Sequence, residues 1–197
     1  PQITAVFGTC GGCSAISASL SDFTFMPKKD AKLFVNSPNV LEGNYTAKCD
    51  TASAEYQAAC GVIDVVEEDE ASVLTSIRTL VSVLPTNNEA ETVVDCMDDL
   101  NRAVAFDALS ADPAKALADI SDECFFFEVK KEFAKEMVTG FIKLDGMTIG
   151  AIANRAALLD ENGKTEKTFE TVLTTDGCYK AEQFIRFCDA FGIPVVS

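Results

Sequence analysis

Two β-rich runs, residues 138–144 and 147–153, are separated by only Asp145-Gly146. Asp-Gly between such runs favours the primed turn whose twist suits antiparallel strands, so the sequence predicts a hairpin with its partner and direction already decided. No other feature restricts the chain as tightly. Around it, short apolar runs alternate with helical patterns. Residues 3–7, 23–26, 32–35 and 62–66 predict strands. Residues 15–20, small and apolar, predict a helix packed closely on a sheet. A second helix opens at Glu67-Glu68-Asp69-Glu70 and runs to about residue 83, with Val73, Leu74, Ile77, Leu80, Val81 and Leu84 at the 3–4 spacing of a buried face. Acids at a helix start complement the macrodipole, and this reading is preferred to a cation site. Residues 41–60 read as loop and helix, and the polar, acidic stretch 86–118 reads as a connection. Residues 179–191 predict an amphipathic helix with Ala181, Phe184, Ile185, Cys188 and Phe191 on one face, followed by a strand at 193–196. A loop is expected between the hairpin and that helix. The alternation is that of an α/β protein, without a visible short-period repeat.

With 31 acidic against 16 basic residues, the chain carries a net charge of −15. Such a surface repels a phosphate backbone, which excludes nucleic acid as the expected partner. No apolar run reaches the roughly 18–20 residues of a membrane-spanning helix, and no export signal opens the sequence. Both ends interrupt a pattern, so the 197 residues read as an internal piece of a longer chain. The eight cysteines are scattered rather than framed, which predicts reduced thiols and a cytoplasmic location. Their sequence neighbours are mostly apolar, which predicts burial. The absence of histidine removes Ser-His-Asp and Cys-His catalysis from these residues, together with histidine metal sites.

Chemistry must therefore come from backbone groups, carboxylates, thiols, lysines or a bound group. Cys10-Gly11-Gly12-Cys13 admits three readings. It has the spacing of a redox pair, and it is half of a zinc site whose second half is missing. It also supplies small residues where a strand turns sharply into a helix. The third reading carries a function of its own. Amides at a helix start have no intrahelical acceptor, and converging N–H groups hold a developing oxyanion. The spacings of a phosphate-binding loop and of a dinucleotide-binding turn are absent.

The run Ile3-Thr4-Ala5-Val6-Phe7-Gly8-Thr9-Cys10-Gly11-Gly12, continued by Leu20-Ser21-Asp22-Phe23-Thr24-Phe25-Met26, resembles the biotin-dependent acyl-CoA carboxyltransferase family. That family includes the β subunits of propionyl- and acetyl-CoA carboxylases and the α subunits of related acyl-CoA decarboxylases. The likeness continues through Phe34-Val35-Asn36-Ser37-Pro38, Leu84-Pro85-Thr86-Asn87-Asn88, Met137-Val138-Thr139-Gly140-Phe141 and Lys180-Ala181-Glu182-Gln183-Phe184-Ile185-Arg186-Phe187-Cys188-Asp189-Ala190-Phe191. It implies an α/β crotonase/ClpP-like ββα-spiral, with parts of two tandem half-domains. Residues 1–105 would be the later part of an acyl-CoA-binding half, 106–118 a linker, and 119–197 the early part of a biotin-side half.

The resemblance further implies an acyl-CoA substrate, biotin carried on a separate biotin carboxyl carrier protein, no metal, and a homodimer or larger oligomer with its site at the subunit interface. Where the family has Ala-Gly-Gly-Ala at its first oxyanion turn, this chain has Gly11-Gly12-Cys13-Ser14. Gly12 and Cys13 are then the expected N–H donors, with Gly11 against the substrate. Cysteine keeps its amide, so the role survives if the local dihedrals suit a non-glycine residue. The family's second oxyanion turn would lie after Ser197, and the isolated segment is expected to be inactive. Two other functions are weighed: a crotonase-type hydratase or isomerase with Glu128 or Asp189 as base, and a non-catalytic piece that keeps only assembly surfaces.

Overall fold

The structure, a computed structural model, describes residues 1–40, 49–90, 93–99, 101–104, 111–160 and 163–197. They form two compact units, Pro1–Ser82 and Val83–Ser197. The predicted boundary at residue 105 and the start of the 106–118 linker lie outside the described residues, as does most of the first half of the 41–60 stretch.

In the first unit the chain runs strand, strand, helix, and then does so again. β1 (Ile3–Ala5), β2 (Thr9–Gly11) and α1 (Cys13–Ser19) are followed by β3 (Phe23–Pro27), β4 (Lys32–Phe34) and α2 (Ala54–Ala59), and then by β5 (Val65–Glu67) and α3 (Glu70–Val83). The first strand of each turn joins one parallel sheet, in the order β1-β3-β5, and the second strands pair separately as β2-β4. This path is a ββα spiral. Its repeat is one of geometry, and no sequence period accompanies it.

The core of this unit packs Ala15 and Ala18 of α1 and Ala54 and Ala58 of α2 against Met26, Leu33 and Ile63. Alanine on the inward helix faces lets the helices approach the strands closely, as the small-residue composition of 15–20 predicts. Every residue of β3 is buried. Its second residue is tied twice to Asp64, because the Thr24 N–H donates to Asp64 Oδ2 at 2.7 Å and the Asp64 N–H donates to the Thr24 carbonyl at 2.9 Å. On α3, Val73 and Leu80 are buried while Leu74 and Val81 face outward, so the buried stripe is narrower than the apolar pattern. The acidic run serves as the helix start. Asp69 Oδ1 accepts the Ser72 N–H at 2.8 Å, and that bond holds its carboxyl below the usual range. Glu68 pairs with Lys28.

The second unit is built on the predicted hairpin. β7 (Met137–Leu144) and β8 (Met147–Asn154) pair antiparallel over their full length, from Met137 opposite Asn154 to Leu144 opposite Met147. The turn has φ of 51° at Asp145 and 75° at Gly146, the two positive values a type I′ turn demands. The buried Asp122 clamps it, accepting the Asp145 and Gly146 N–H groups at 3.1 and 2.7 Å. β6 (Phe127–Val129) adds antiparallel to β7, and β11 (Val195–Val196) adds parallel to β8.

Three regions depart from expectation. At the end of the polar 86–118 stretch and two residues past it, Pro113–Ile120 is a helix, α4. Its Leu117 packs on Val138, Ile142 and Ala151, helped by Ala114 and Ile120 at helical spacing. Where a loop is expected, β9 (Ala157–Leu159) and β10 (Thr165–Thr168) form a second, bulged hairpin. The last helix, α5 (Thr175–Ala190), begins four residues before the expected start, because the Thr174 hydroxyl accepts the Gly177 N–H at 2.9 Å and caps it. Its buried residues are Gly177, Lys180, Phe184 and Cys188, whereas Ile185 is exposed.

Candidate functional site

The turn from β2 into α1 is shaped by Gly12, which has φ 62° and ψ −135°, a conformation that a side chain strongly disfavours. Gly12 is the N-cap of α1 and has no side chain, so no side-chain oxygen caps the helix start. The Ala15 N–H turns back to the Gly12 carbonyl at 3.1 Å. Among the described residues, no acceptor is present for the N–H groups of Cys13 and Ser14, the first two helical positions. Cys13 is not among the residues with positive φ, so a non-glycine residue stands there without strain.

Of the expected donor pair, only the Cys13 amide stands open among the described residues. The Gly12 N–H is already engaged, donating to the Phe34 and Val35 carbonyls at 3.1 and 3.2 Å. Pairing of β2 with β4 consumes it, and the open neighbours are Cys13 and Ser14. Gly11 is likewise a packing residue, since a Cβ there would lie 2.9 Å from the Phe34 ring. Beside the turn, a cleft of about 420 Å³ lies between β1 and α1. Thr4, Phe7, Gly8, Cys10, Ser14 and Ser17 line it, whereas Gly11, Gly12 and Cys13 do not. Ser14 is thus the residue that joins the open amides to the cleft.

The thiols are a second correction. Cys13, Cys49, Cys60, Cys124 and Cys178 are exposed, Cys10 and Cys96 are partly so, and only Cys188 is buried. Apolar neighbours in the sequence do not bury a side chain that points away from the core. All eight are free, and no group of metal-ligating side chains occurs among the described residues.

The two carboxylates considered as bases are placed unlike bases. Glu128 accepts from Arg155 Nη2 at 3.2 Å. Asp189 lies exposed near the end of α5. Arg155, only 3% exposed, also donates from Nε to Asp112 Oδ1 at 2.9 Å and from Nη1 to the Lys135 carbonyl at 3.0 Å. Lys180 is 1% exposed, and burial lowers its amine from 10.5 to about 8. Neither Arg155 nor Lys180 emerges from sequence reading. The one available signal is that Lys180 falls in register with Phe184 and Cys188, at the i, i+4, i+8 spacing of a buried stripe.

A ββα spiral with unpaired amides at a strand-to-helix turn is the crotonase-like architecture, and the family model confirms the class. The carboxyl transferase domain matches residues 1–197, and the chain belongs to that family. Among curated relatives, it is 34% identical over 213 residues to the propionyl-CoA carboxylase beta chain of Roseobacter denitrificans, covering all of this chain and 39% of that one. It is 30% identical over 210 residues to the methylmalonyl-CoA decarboxylase subunit alpha of Propionigenium modestum, with the same coverage. Among solved structures, the 12S transcarboxylase, a hexamer with methylmalonyl-coenzyme A bound, superposes with a TM-score of 0.79 at 28% identity. That match covers 99% of this chain and 38% of the other. The chain therefore spans about two fifths of the length of these relatives.

Proposed function

We propose that the chain is part of a biotin-dependent carboxyltransferase that moves a carboxyl group between biotin and an acyl-CoA. The observation that carries this reading is the family match along all 197 residues. Supporting it, the Cys13 and Ser14 amides stand open beside a cleft. A thioester enolate places negative charge on its oxygen, and preorganised N–H donors stabilise that charge without needing a side-chain base. This suits a segment without histidine. The proposed partners are an acyl-CoA, biotin on a separate carrier protein and further copies of the chain, in the cytoplasm. Residues 1–105 and 119–197 are proposed as parts of the acyl-CoA and biotin halves. The 197 residues alone are expected to lack turnover, because the relatives that act are much longer. The hydratase or isomerase reading is disfavoured by the ion pair that holds Glu128 to Arg155 and by the exposure of Asp189.

The test uses the intact protein and follows labelled carboxyl transfer between an acyl-CoA and free biotin. Cys13→Pro removes one open N–H at the first helical position, where proline is well tolerated. Losing one oxyanion donor costs about 10²–10³ in turnover, or about 2.7–4 kcal/mol. Cys13→Gly and Cys13→Ser keep the amide and are expected to stay near the parent rate. Equal loss in all three at equal folded fraction would make the sulfur the chemical group. No loss in any would remove Cys13 from the site.

A further inference from the structure

Between β6 and β7 the chain makes a cramped passage, with positive φ at Lys130 (53°) and Ala134 (41°). Its carbonyls are held from outside. The Lys135 oxygen accepts from the Arg155 guanidinium, and the Glu136 oxygen accepts the Arg155 N–H at 2.7 Å. The oxygens of Phe133 and Met137 both accept from Lys180 Nζ of α5, at 2.9 and 2.7 Å. The Thr174 hydroxyl donates to Glu136 Oε1 at 2.5 Å, joining the start of α5 to the same passage.

Lys180 is unusual among these donors. Among the described residues it has two acceptors, both carbonyl oxygens, and no carboxylate reaches it in an ion pair. A neutral amine has two N–H groups, which matches the two carbonyls. An ammonium brings a third N–H, for which no further acceptor stands among the described residues, and a full charge that burial disfavours. The charged groups around it are Glu128 on β6, Lys130 and Glu136 in the passage, and Arg155 after β8. Glu128 and Glu136 favour the ammonium, while Arg155 and Lys130 oppose it. Glu128 is itself bonded to Arg155, and Glu136 to Thr174.

We propose that Lys180 makes the junction between α5 and residues 133–137 a proton-sensitive clasp, one that holds more firmly when its amine is neutral. The inference is independent of the carboxyltransferase reading. Burial brings the amine to about 8 in the folded chain, against 10.5 for a free lysine. Between those values the unfolded or opened state binds a proton that the closed state does not. The closed state therefore gains stability as pH rises through 8, opposite to the loss on deprotonation expected of a lysine whose charge is stabilised by a partner.

The experiment is hydrogen–deuterium exchange of the intact chain, read by mass spectrometry from pH 7 to pH 9 and corrected for the intrinsic exchange rate. Protection of residues 133–138 and 177–184 is expected to rise about tenfold over that interval. Peptides of α2 in the first unit are the reference and should change much less. In Lys180→Met the rise should vanish. A flat or falling profile in the parent chain, or an equal rise in α2, would overturn the proposal. So would a rise that persists in Lys180→Met. If that variant fails to fold, the parent profile set against α2 still decides.

Discussion

Cys188 and Cys13 are thiols with opposite surroundings: the first has the burial that its sequence neighbours suggest, and the second does not. Cys188 is fully buried on the inner face of α5, and burial pushes its thiol up to about 12. Cys13 stands exposed at the start of α1. Alkylation of the native chain at pH 8, mapped by mass spectrometry, should leave Cys188 unmodified and label Cys13, Cys49, Cys60, Cys124 and Cys178. A labelled Cys188 would mean that α5 opens. Gly146 carries a different kind of necessity. Its φ is 75°, and a Cβ would run into the Val94 carbonyl oxygen. Gly146→Ala should cost at least about 1–3 kcal/mol from the left-handed conformation alone, read as a lower urea midpoint. Gly146 was legible in the sequence because a primed turn demands it. The engaged amide of Gly12 was not, because its acceptors, Phe34 and Val35, come from another strand.

The elements owe their stability to unequal means. The β7–β8 hairpin rests on its turn and on a full register of cross-strand pairs, all encoded within 18 consecutive residues. The region from α4 to β9 depends on Arg155, whose partners Asp112 and Glu128 lie 43 and 27 residues away along the chain. Removing one partner of a buried pair costs about 3–5 kcal/mol, because the charge left behind keeps its desolvation penalty. Arg155→Ala should lower stability by that amount in urea unfolding. Arg155→Lys should restore only part, since an ammonium cannot supply the same planar fork of donors. A loss below about 1 kcal/mol would show that the site rehydrates easily. The helix α4 is not legible locally because the residues that pack into its cluster with the sheet, Ala114, Leu117 and Ile120, are few and sit in an acidic stretch. Only the sheet they cover explains them.

At the scale of the whole chain, apolar side chains remain on the surface, among them Leu20 at 77% and Leu173 at 67% exposure. Exposed apolar groups drive association when they form patches, so the 197 residues alone should run as dimers or larger species in light scattering. A monomer at high concentration would count against the assembly proposed here. The α/β alternation, the hairpin, the small-residue helix after the first strand and the membership of the carboxyl transferase family were all determined by the sequence itself. These depend on local periodicity, turn chemistry and residue identity, which neighbours along the chain express directly. The resemblance implied the ββα spiral, but its strand pairings, the donors left open at α1 and the burial of Arg155 and Lys180 were decided by tertiary structure. β1 meets β3 and β3 meets β5 across separations that no local pattern records. An amide is open or spent only once its neighbouring strand is in place. A charged side chain becomes buried only because distant carbonyls and carboxylates converge on it.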